Sequence, residues 1–174
     1  MNKSIAFIDL AAQQKRLHSK ITNRINTVLS HGKYIMGPEV SELEKELEIY
    51  TGASHVVTCG NGTDALILSL MSHNIGPGDI VFCPAFTFPA TAEAIAILGA
   101  TPYFVDVEED TFNISIQSLN EAILDVTKEN IYKMKAIIAV DLYGLPANYN
   151  ALKDIAKSYN LKLIADAAQS FGAK

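Results

Sequence analysis

From residue 51 onward, short apolar segments alternate with segments whose apolar residues recur at helical spacing. The short segments are rich in β-branched and aromatic residues, and we predict strands at 55–58, 80–83, 101–107, 136–142 and 161–165. Helices are predicted between them, near 62–73, 89–98, 115–124 and 148–159. Strands that are apolar along their whole length and alternate with helices are typical of a mostly parallel sheet with helices on both faces. The sequence therefore predicts an α/β fold.

The first fifty residues show helical spacing without strands. Ile21 and Ile25 lie on one apolar helical stripe, and Gly37-Pro38 interrupts the pattern before a second helical segment. We therefore predict an N-terminal helical arm over residues 1–50 and an α/β body over residues 51–174.

Composition excludes several classes of protein. The net charge of −5 over 174 residues argues against a nucleic-acid-binding or anionic-membrane surface. No apolar segment is long enough to span a membrane, and the N-terminus lacks the apolar core of a signal peptide. Cys59 and Cys83 lie in apolar segments without metal-ligand spacing, so we predict no metal site and a reducing, cytoplasmic environment.

A glycine-rich turn, Cys59-Gly60-Asn61-Gly62-Thr63, opens the helix predicted at 62–73. The first N–H groups of a helix have no partner within the helix, and together with the helix dipole they favour a phosphate. Gly62 lets the backbone approach such an anion, and the Thr63 hydroxyl can add a donor. The alternative is a turn capped by Asn61 or Thr63 that binds no ligand. The turn alone leaves both interpretations open.

Asp166 follows the last predicted strand and has only Ile and Ala residues within two positions on either side. A carboxylate in such surroundings requires a cationic or hydrogen-bonding partner. The protonated nitrogen of a pyridine ring would serve, as would an arginine, and Gln169 could bond a second atom of the same ligand. The alternative is that Asp166 caps a following helix.

Phe86 and Phe88 lie between a predicted strand and a predicted helix, where an aromatic ring can stack on a flat ligand; the alternative is that both are core residues. Ligands of parallel α/β sheets bind at the carboxyl ends of the strands. We therefore expect Gly62, Phe88 and Asp166 to lie at one rim.

Five motifs, in order, resemble those of the DegT/DnrJ/EryC1/StrS aminotransferases, pyridoxal-phosphate-dependent enzymes of the fold-type I class that aminate nucleotide-linked keto sugars. The motifs are Tyr34-Ile35-Met36-Gly37-Pro38, Asn61-Gly62-Thr63-Asp64-Ala65-Leu66, Gly76-Pro77-Gly78-Asp79, Pro84-Ala85-Phe86-Thr87-Phe88 and Asp166-Ala167-Ala168-Gln169. The resemblance extends over essentially the whole chain. It implies the N-terminal part of that family's large α/β domain, truncated before the rest of the sheet and the small C-terminal domain.

The resemblance also implies roles for six residues in binding pyridoxal phosphate. The residues that would hold its phosphate are Gly62, Thr63 and Asp64. Phe88 would stack on the pyridine ring. Asp166 would pair with the ring nitrogen, and Gln169 would contact the ring hydroxyl oxygen.

In the family, the lysine that forms the Schiff base lies in a Ser-aromatic-Pro-x-Lys segment downstream of the position of Gln169. Lys174 and its surroundings do not match that segment. We therefore expect the chain to be a piece of such an enzyme, without a catalytic residue of its own and inactive alone. The resemblance implies that the intact enzyme is a cytoplasmic homodimer.

We expect the intact parent to transfer an amino group, with glutamate as donor, to a nucleotide-linked keto sugar for surface polysaccharide, O-antigen or amino-sugar biosynthesis. The residues around Cys59 and Asp166 most resemble members that act at the 3-oxo position of UDP-linked acetamido sugars. The alternatives are a non-catalytic module that binds the cofactor or a nucleotide sugar, and a pyridoxal-phosphate-dependent sugar dehydratase. A Rossmann-like nucleotide-binding enzyme is disfavoured, because no G-x-G-x-x-G follows the first predicted strand.

Overall fold

The computed structural model describes residues 7–129 and 132–173, so Lys174 lies outside the described residues. The chain divides into two compact units, one up to Thr58 and one from Cys59 onward. The sequence prediction placed the boundary at residue 50. Each unit is described by itself.

The described part of the first unit, from residue 7, contains two helices, α1 (Leu10–His31) and α2 (Pro38–Thr51). The side chain of Asp9 caps α1 by accepting the N–H of Ala12 at 2.9 Å. A glycine in the left-handed conformation follows each helix, which ends it without steric cost. Neither helix contains a buried residue. The helical pattern predicted for this part of the chain is confirmed.

The second unit is built on a four-stranded sheet. Its elements, in chain order, are α3 (Gly62–Ser72), β1 (Asp79–Pro84), α4 (Ala90–Ile97), β2 (Thr101–Val105), α5 (Ile116–Glu129), β3 (Lys133–Val140), α6 (Tyr149–Ser158) and β4 (Lys162–Asp166). The strand order is β2-β1-β3-β4, and each neighbouring pair is parallel. The predicted α/β fold with a parallel sheet is confirmed.

Strand β1 shows how helices cover both faces of this sheet. All six of its residues are buried, and successive side chains point to opposite faces. Ile80 and Phe82 belong to the core cluster under α5 and α6, whereas Val81 and Cys83 belong to the cluster under α3 and α4. The four residues 80–83 are all apolar, as expected where a strand is buried on both faces, and that pattern predicted the strand.

The strand predicted at 55–58 was wrong. Val57 is 80% exposed, and both the N–H and the hydroxyl of Thr58 donate to Oε1 of Glu44 at 2.9 Å. These two hydrogen bonds lower the pKa of the Glu44 carboxyl. β-branched residues favour a strand only where a neighbouring strand satisfies the backbone, and no strand within residues 7–129 and 132–173 pairs with this segment.

The remaining predicted strands and helices all form, with some ends displaced by a few residues; β3, for example, begins at Lys133 rather than at 136. None of the helices in the described part of the chain combines the length and apolar character required to cross a membrane.

The two cysteines provide a test of this fold. Burial raises the pKa of the Cys83 thiol to about 12, whereas Cys59 is exposed. Since the thiolate is the reactive form, we expect a thiol-specific disulfide reagent to modify Cys59 rapidly and Cys83 only after unfolding. Stopped-flow absorbance measures the two phases, and Cys59→Ser should remove the fast one. Rapid modification of both thiols in the folded chain would contradict the burial of β1.

Candidate cofactor site

A crevice lies at the carboxyl ends of the strands, between β1 and β3. From β1 the chain crosses to β2 on one side, and from β2 it returns to β3 on the other side of β1. Connections that leave in opposite directions open a space where ligands of α/β sheets bind. A cavity of about 380 Å³ lies here, lined by Gly62, Thr63, Leu66, Phe88, Ala90, Val140, Leu142, Asp166, Ala168 and Gln169. Its volume is in the range of small-molecule sites.

The structure brings five of the six predicted cofactor residues to this one cavity. Gly62 and Thr63 lie at the start of α3, Phe88 lies before α4, and Asp166 and Gln169 lie at and just after the end of β4. The five residues therefore come from three separate parts of the chain. The sixth, Asp64, does not line the cavity. The side chain of Asp166 and the turn at Gly62 therefore lie on the same side of the sheet.

The start of α3 has two free backbone donors. Asn61 is its N-cap, and its Oδ1 accepts the N–H of Asp64 at 2.9 Å. The N–H of Ala65 bonds the carbonyl of Asn61. The N–H groups of Gly62 and Thr63 have no hydrogen-bond partner among the described residues, so the capped turn still presents two donors to an anion.

Asp64 is already engaged by the cap. Its backbone N–H bonds Asn61, and its Oδ2 accepts from Nδ2 of the same asparagine at 3.0 Å. The proposed phosphate contact of Asp64 stays a prediction. The donors that remain open at this turn belong to Gly62 and Thr63.

Asp166 is the last residue of β4 and is half-buried. Its Oδ1 accepts the N–H of Ala168 at 3.2 Å, and no Lys, Arg or His in the described part of the chain pairs with it. The residues after it form turns, so the alternative in which Asp166 caps a helix was wrong. The carboxylate lines the cavity and offers its charge to a ligand cation.

The amide group of Gln169 has a defined orientation. Its Oε1 accepts the backbone N–H of Tyr143. The amide oxygen therefore faces Tyr143, and the NH2 group is left as a donor without a partner among the described residues. A donor at this position can bond an oxygen of a ligand.

Phe88 forms an aromatic wall of the cavity. Phe88 is 71% exposed and Phe86 is 49% exposed, so the alternative that they are core residues was wrong. Phe86 instead pairs with the ring of Phe112, with 5.6 Å between the ring centroids. The Phe88 ring is accessible for stacking on a flat ligand.

Sequence reasoning assigned no role to a buried carboxylate that lies beside the cavity. Asp141 follows β3 and is 4% exposed, and its carboxylate accepts three hydrogen bonds. The donors are the N–H of Ala147 at 2.9 Å, the hydroxyl of Tyr149 at 2.7 Å and the hydroxyl of Ser170 at 2.6 Å. Burial, followed by the bond to Asp141, raises the pKa of the Tyr149 hydroxyl, so Tyr149 stays protonated and donates. An aspartate directly after an apolar strand was the available signal, but its partner Ser170 is 29 positions away in the sequence.

A larger cavity, of about 580 Å³, lies within the first unit between α1 and α2. Its walls are mainly apolar, and three of its charged side chains are already paired: Arg24 with Glu42, and Glu39 with His31. It lacks the convergence of unpaired polar groups found at the sheet edge. Groups of three or more potential metal ligands are absent from the described residues.

The groups at the sheet edge form a recognisable combination of ligand-binding groups. They comprise two backbone N–H groups for an anion, an aromatic face, a carboxylate and an amide donor. This set fits a phosphate attached to a protonated aromatic ring that carries a hydroxyl oxygen.

Known proteins resemble the chain along nearly its whole length. The model of the DegT/DnrJ/EryC1/StrS aminotransferase family matches residues 15–174. The UDP-2-acetamido-2-deoxy-3-oxo-D-glucuronate aminotransferase of Pseudomonas aeruginosa is 49% identical over 169 residues, covering 97% of this chain and 45% of that protein.

Two solved structures superpose on the chain. A DegT DnrJ EryC1 StrS aminotransferase from Brucella abortus gives a TM-score of 0.94 with 50% identity, covering 97% of this chain and 45% of that one. NtdA from Bacillus subtilis, with bound cofactor PMP, gives a TM-score of 0.86 with 33% identity, covering 98% of this chain and 39% of that one. The chain thus spans less than half the length of these relatives.

The cap at α3 can be tested against the equivalent cap at α6, where Asn148 accepts the N–H of Ala151. We expect Asn61→Ala and Asn148→Ala each to lower the free energy of unfolding by about 1 kcal/mol, because each leaves a helix without its N-cap. Urea denaturation followed by circular dichroism measures both changes. A loss in Asn148→Ala but none in Asn61→Ala would show that Asn61 does not cap α3.

Proposed function

The chain belongs to the DegT/DnrJ/EryC1/StrS aminotransferase family, and from this premise we propose that it supplies the phosphate and ring contacts of a pyridoxal-phosphate-dependent aminotransferase. The observation that carries the proposal is the single cavity that collects Gly62, Thr63, Phe88, Asp166 and Gln169. The relative from Bacillus subtilis, solved with bound cofactor PMP, supports a cofactor of this type.

In this proposal the start of α3 binds the phosphate. The N–H groups of Gly62 and Thr63 donate to its oxygens, and the positive end of the helix dipole adds to the attraction. A Cβ at position 62 would meet no atom within 4 Å, so the space beside these donors is open to a ligand.

The other end of the cavity binds the ring. Asp166 holds a proton on the pyridine nitrogen, because an ionised carboxylate favours the charged form of a neighbouring base. The NH2 group of Gln169 donates to the ring hydroxyl oxygen, and Phe88 covers one ring face and excludes water from it. When bound, the protonated cofactor supplies an electron sink for negative charge that develops on the substrate carbon.

The whole activity needs more than this chain provides. None of the family motifs found in this chain contains the Schiff-base lysine. In this proposal, another segment of the protein supplies that lysine. We propose that the complete protein transfers an amino group from glutamate to a nucleotide-linked keto sugar and acts as a homodimer. The 49% identity to the Pseudomonas aeruginosa aminotransferase supports a UDP-linked 3-oxo acetamido sugar as acceptor.

Replacement of Asp166 by Asn tests the ring contact. We expect Asp166→Asn to weaken binding of pyridoxamine phosphate about tenfold or more, since a hydrogen bond to a charged group contributes about 1.5–3 kcal/mol. Isothermal titration calorimetry measures the affinity, and pyridoxamine phosphate needs no lysine to bind.

Asp106→Asn is the matched control, because Asp106 also lies at the carboxyl end of a strand and also accepts a local backbone N–H, that of Val107 at 2.8 Å, but does not line the cavity. We expect it to bind pyridoxamine phosphate as the unsubstituted chain does. Equal losses in both variants would argue against a specific role for Asp166.

The amino transfer requires a test on a protein of the length of the relatives. We expect such a protein to convert glutamate and a UDP-linked 3-oxo acetamido sugar to 2-oxoglutarate and the aminated sugar, detected by mass spectrometry. Replacement of the lysine in its Ser-aromatic-Pro-x-Lys segment should abolish turnover. Loss of water from the sugar without amination would instead identify a dehydratase, and cofactor binding without turnover would identify a non-catalytic module.

A further inference from the structure

Two loops beside the cavity are tied together by hydrogen bonds. One follows β3 and contains Asp141 and Tyr143, and the other follows β4 and contains Gln169 and Ser170. Two contacts join them directly: Ser170 Oγ donates to Oδ2 of Asp141 at 2.6 Å, and the N–H of Tyr143 donates to Oε1 of Gln169. A third joins the first loop to the end of β4, where the N–H of Asp141 donates to the carbonyl of Asp166 at 3.1 Å. We call these three contacts the brace.

Asp141 has little freedom to turn within the brace. It is buried, and its Oδ1 is held by the N–H of Ala147 and the hydroxyl of Tyr149. With Oδ1 fixed from α6 and its preceding loop, Oδ2 points to Ser170, which is itself 8% exposed. The position of Ser170 is therefore defined by a carboxylate whose other oxygen is anchored elsewhere.

The backbone on the β3 side adopts an unusual conformation at the contact with Gln169. Tyr143 has φ of 58°, in the left-handed region that costs energy for a residue with a Cβ. Gly144 follows with φ of 86°, and a Cβ there would lie 3.1 Å from the carbonyl oxygen of Gln169. The loop thus accepts strain at Tyr143 and has no side chain at 144, and both features allow its close approach to Gln169.

We propose that Asp141 is a positioning residue, which acts through Ser170 to hold the turn after β4 so that the NH2 group of Gln169 faces the cavity as a fixed donor. The inference rests on the proposed function, since the oxygen that receives this donor is the ring hydroxyl of the cofactor. It adds Asp141, Ser170 and the strained Tyr143 to the residues that set the ring contact.

A purely structural brace would stabilise the fold without affecting Gln169. The side chain of Gln169 is exposed, so its bond to Tyr143 adds little to the core. What the bond does is choose one of the two orientations of the amide, and with it whether the cavity receives a donor or an acceptor. The test must therefore measure the Tyr143–Gln169 hydrogen bond and the affinity for the ligand, each independently of the stability of the fold.

Ser170→Ala removes the link between Asp141 and the turn, and Ser118→Ala is its matched control. The Ser118 hydroxyl accepts the N–H of Asp106 at the end of β2, so the control also loses a hydroxyl at the end of a strand but does not touch the cavity. Amide hydrogen exchange measured by NMR reports the Tyr143 N–H directly and needs no ligand.

We expect faster exchange of the Tyr143 N–H in Ser170→Ala and in Gln169→Ala, and unchanged exchange in Ser118→Ala. Calorimetric titration with pyridoxamine phosphate should show about two- to tenfold weaker binding in Ser170→Ala, the size expected for one lost hydrogen bond. The double variant Ser170→Ala/Gln169→Ala should bind as Gln169→Ala does, because the loss of the Ser170–Asp141 bond affects the ligand only through the Gln169 side chain.

Unchanged exchange and unchanged affinity in Ser170→Ala would overturn the inference and leave the proposed function intact. Additive losses in the double variant would also overturn it, since Ser170 would then act independently of Gln169. If the unsubstituted chain binds no pyridoxamine phosphate, the proposed function fails and the inference fails with it.

Discussion

All four strands of the sheet run in the same direction, and this constraint places the polar groups of the second unit. The two central strands, β1 and β3, are buried along most of their length, so carboxylates and turns are confined to their ends. In a parallel sheet every carboxyl end lies at the same edge. Because strand order reverses between β1 and β3, that edge also contains the crevice in which residues distant in sequence meet.

Much of this fold could be predicted because its elements carry local patterns. The run Ile80-Val81-Phe82-Cys83 is apolar on both faces of its strand, and Ile21 and Ile25 mark a helical stripe. The segment at 55–58 shows where such reasoning ends. Its residues favour a strand, but a strand also needs a neighbour, and Glu44 satisfies the backbone of Thr58 instead.

The candidate site was predictable in its residues but not in its contacts. Gly62 belongs to a glycine-rich turn and Asp166 follows an apolar strand, and the sequence alone displays both features. The bond between Asp141 and Ser170 joins residues 29 positions apart, and no local pattern announces such a pair. The orientation of the Gln169 amide depends on one backbone N–H of another loop, which is equally invisible in the sequence.

The two open donors at the start of α3 belong to the main chain, and every amino acid other than proline carries the same group. The residue type at position 62 therefore affects how closely a ligand can approach, whereas the backbone N–H groups themselves are available with many residue types. Binding of an anion here requires that the backbone conformation of this turn be maintained. Distant homologues in which most residues differ would therefore be recognised at this turn by structural superposition more readily than by sequence alignment.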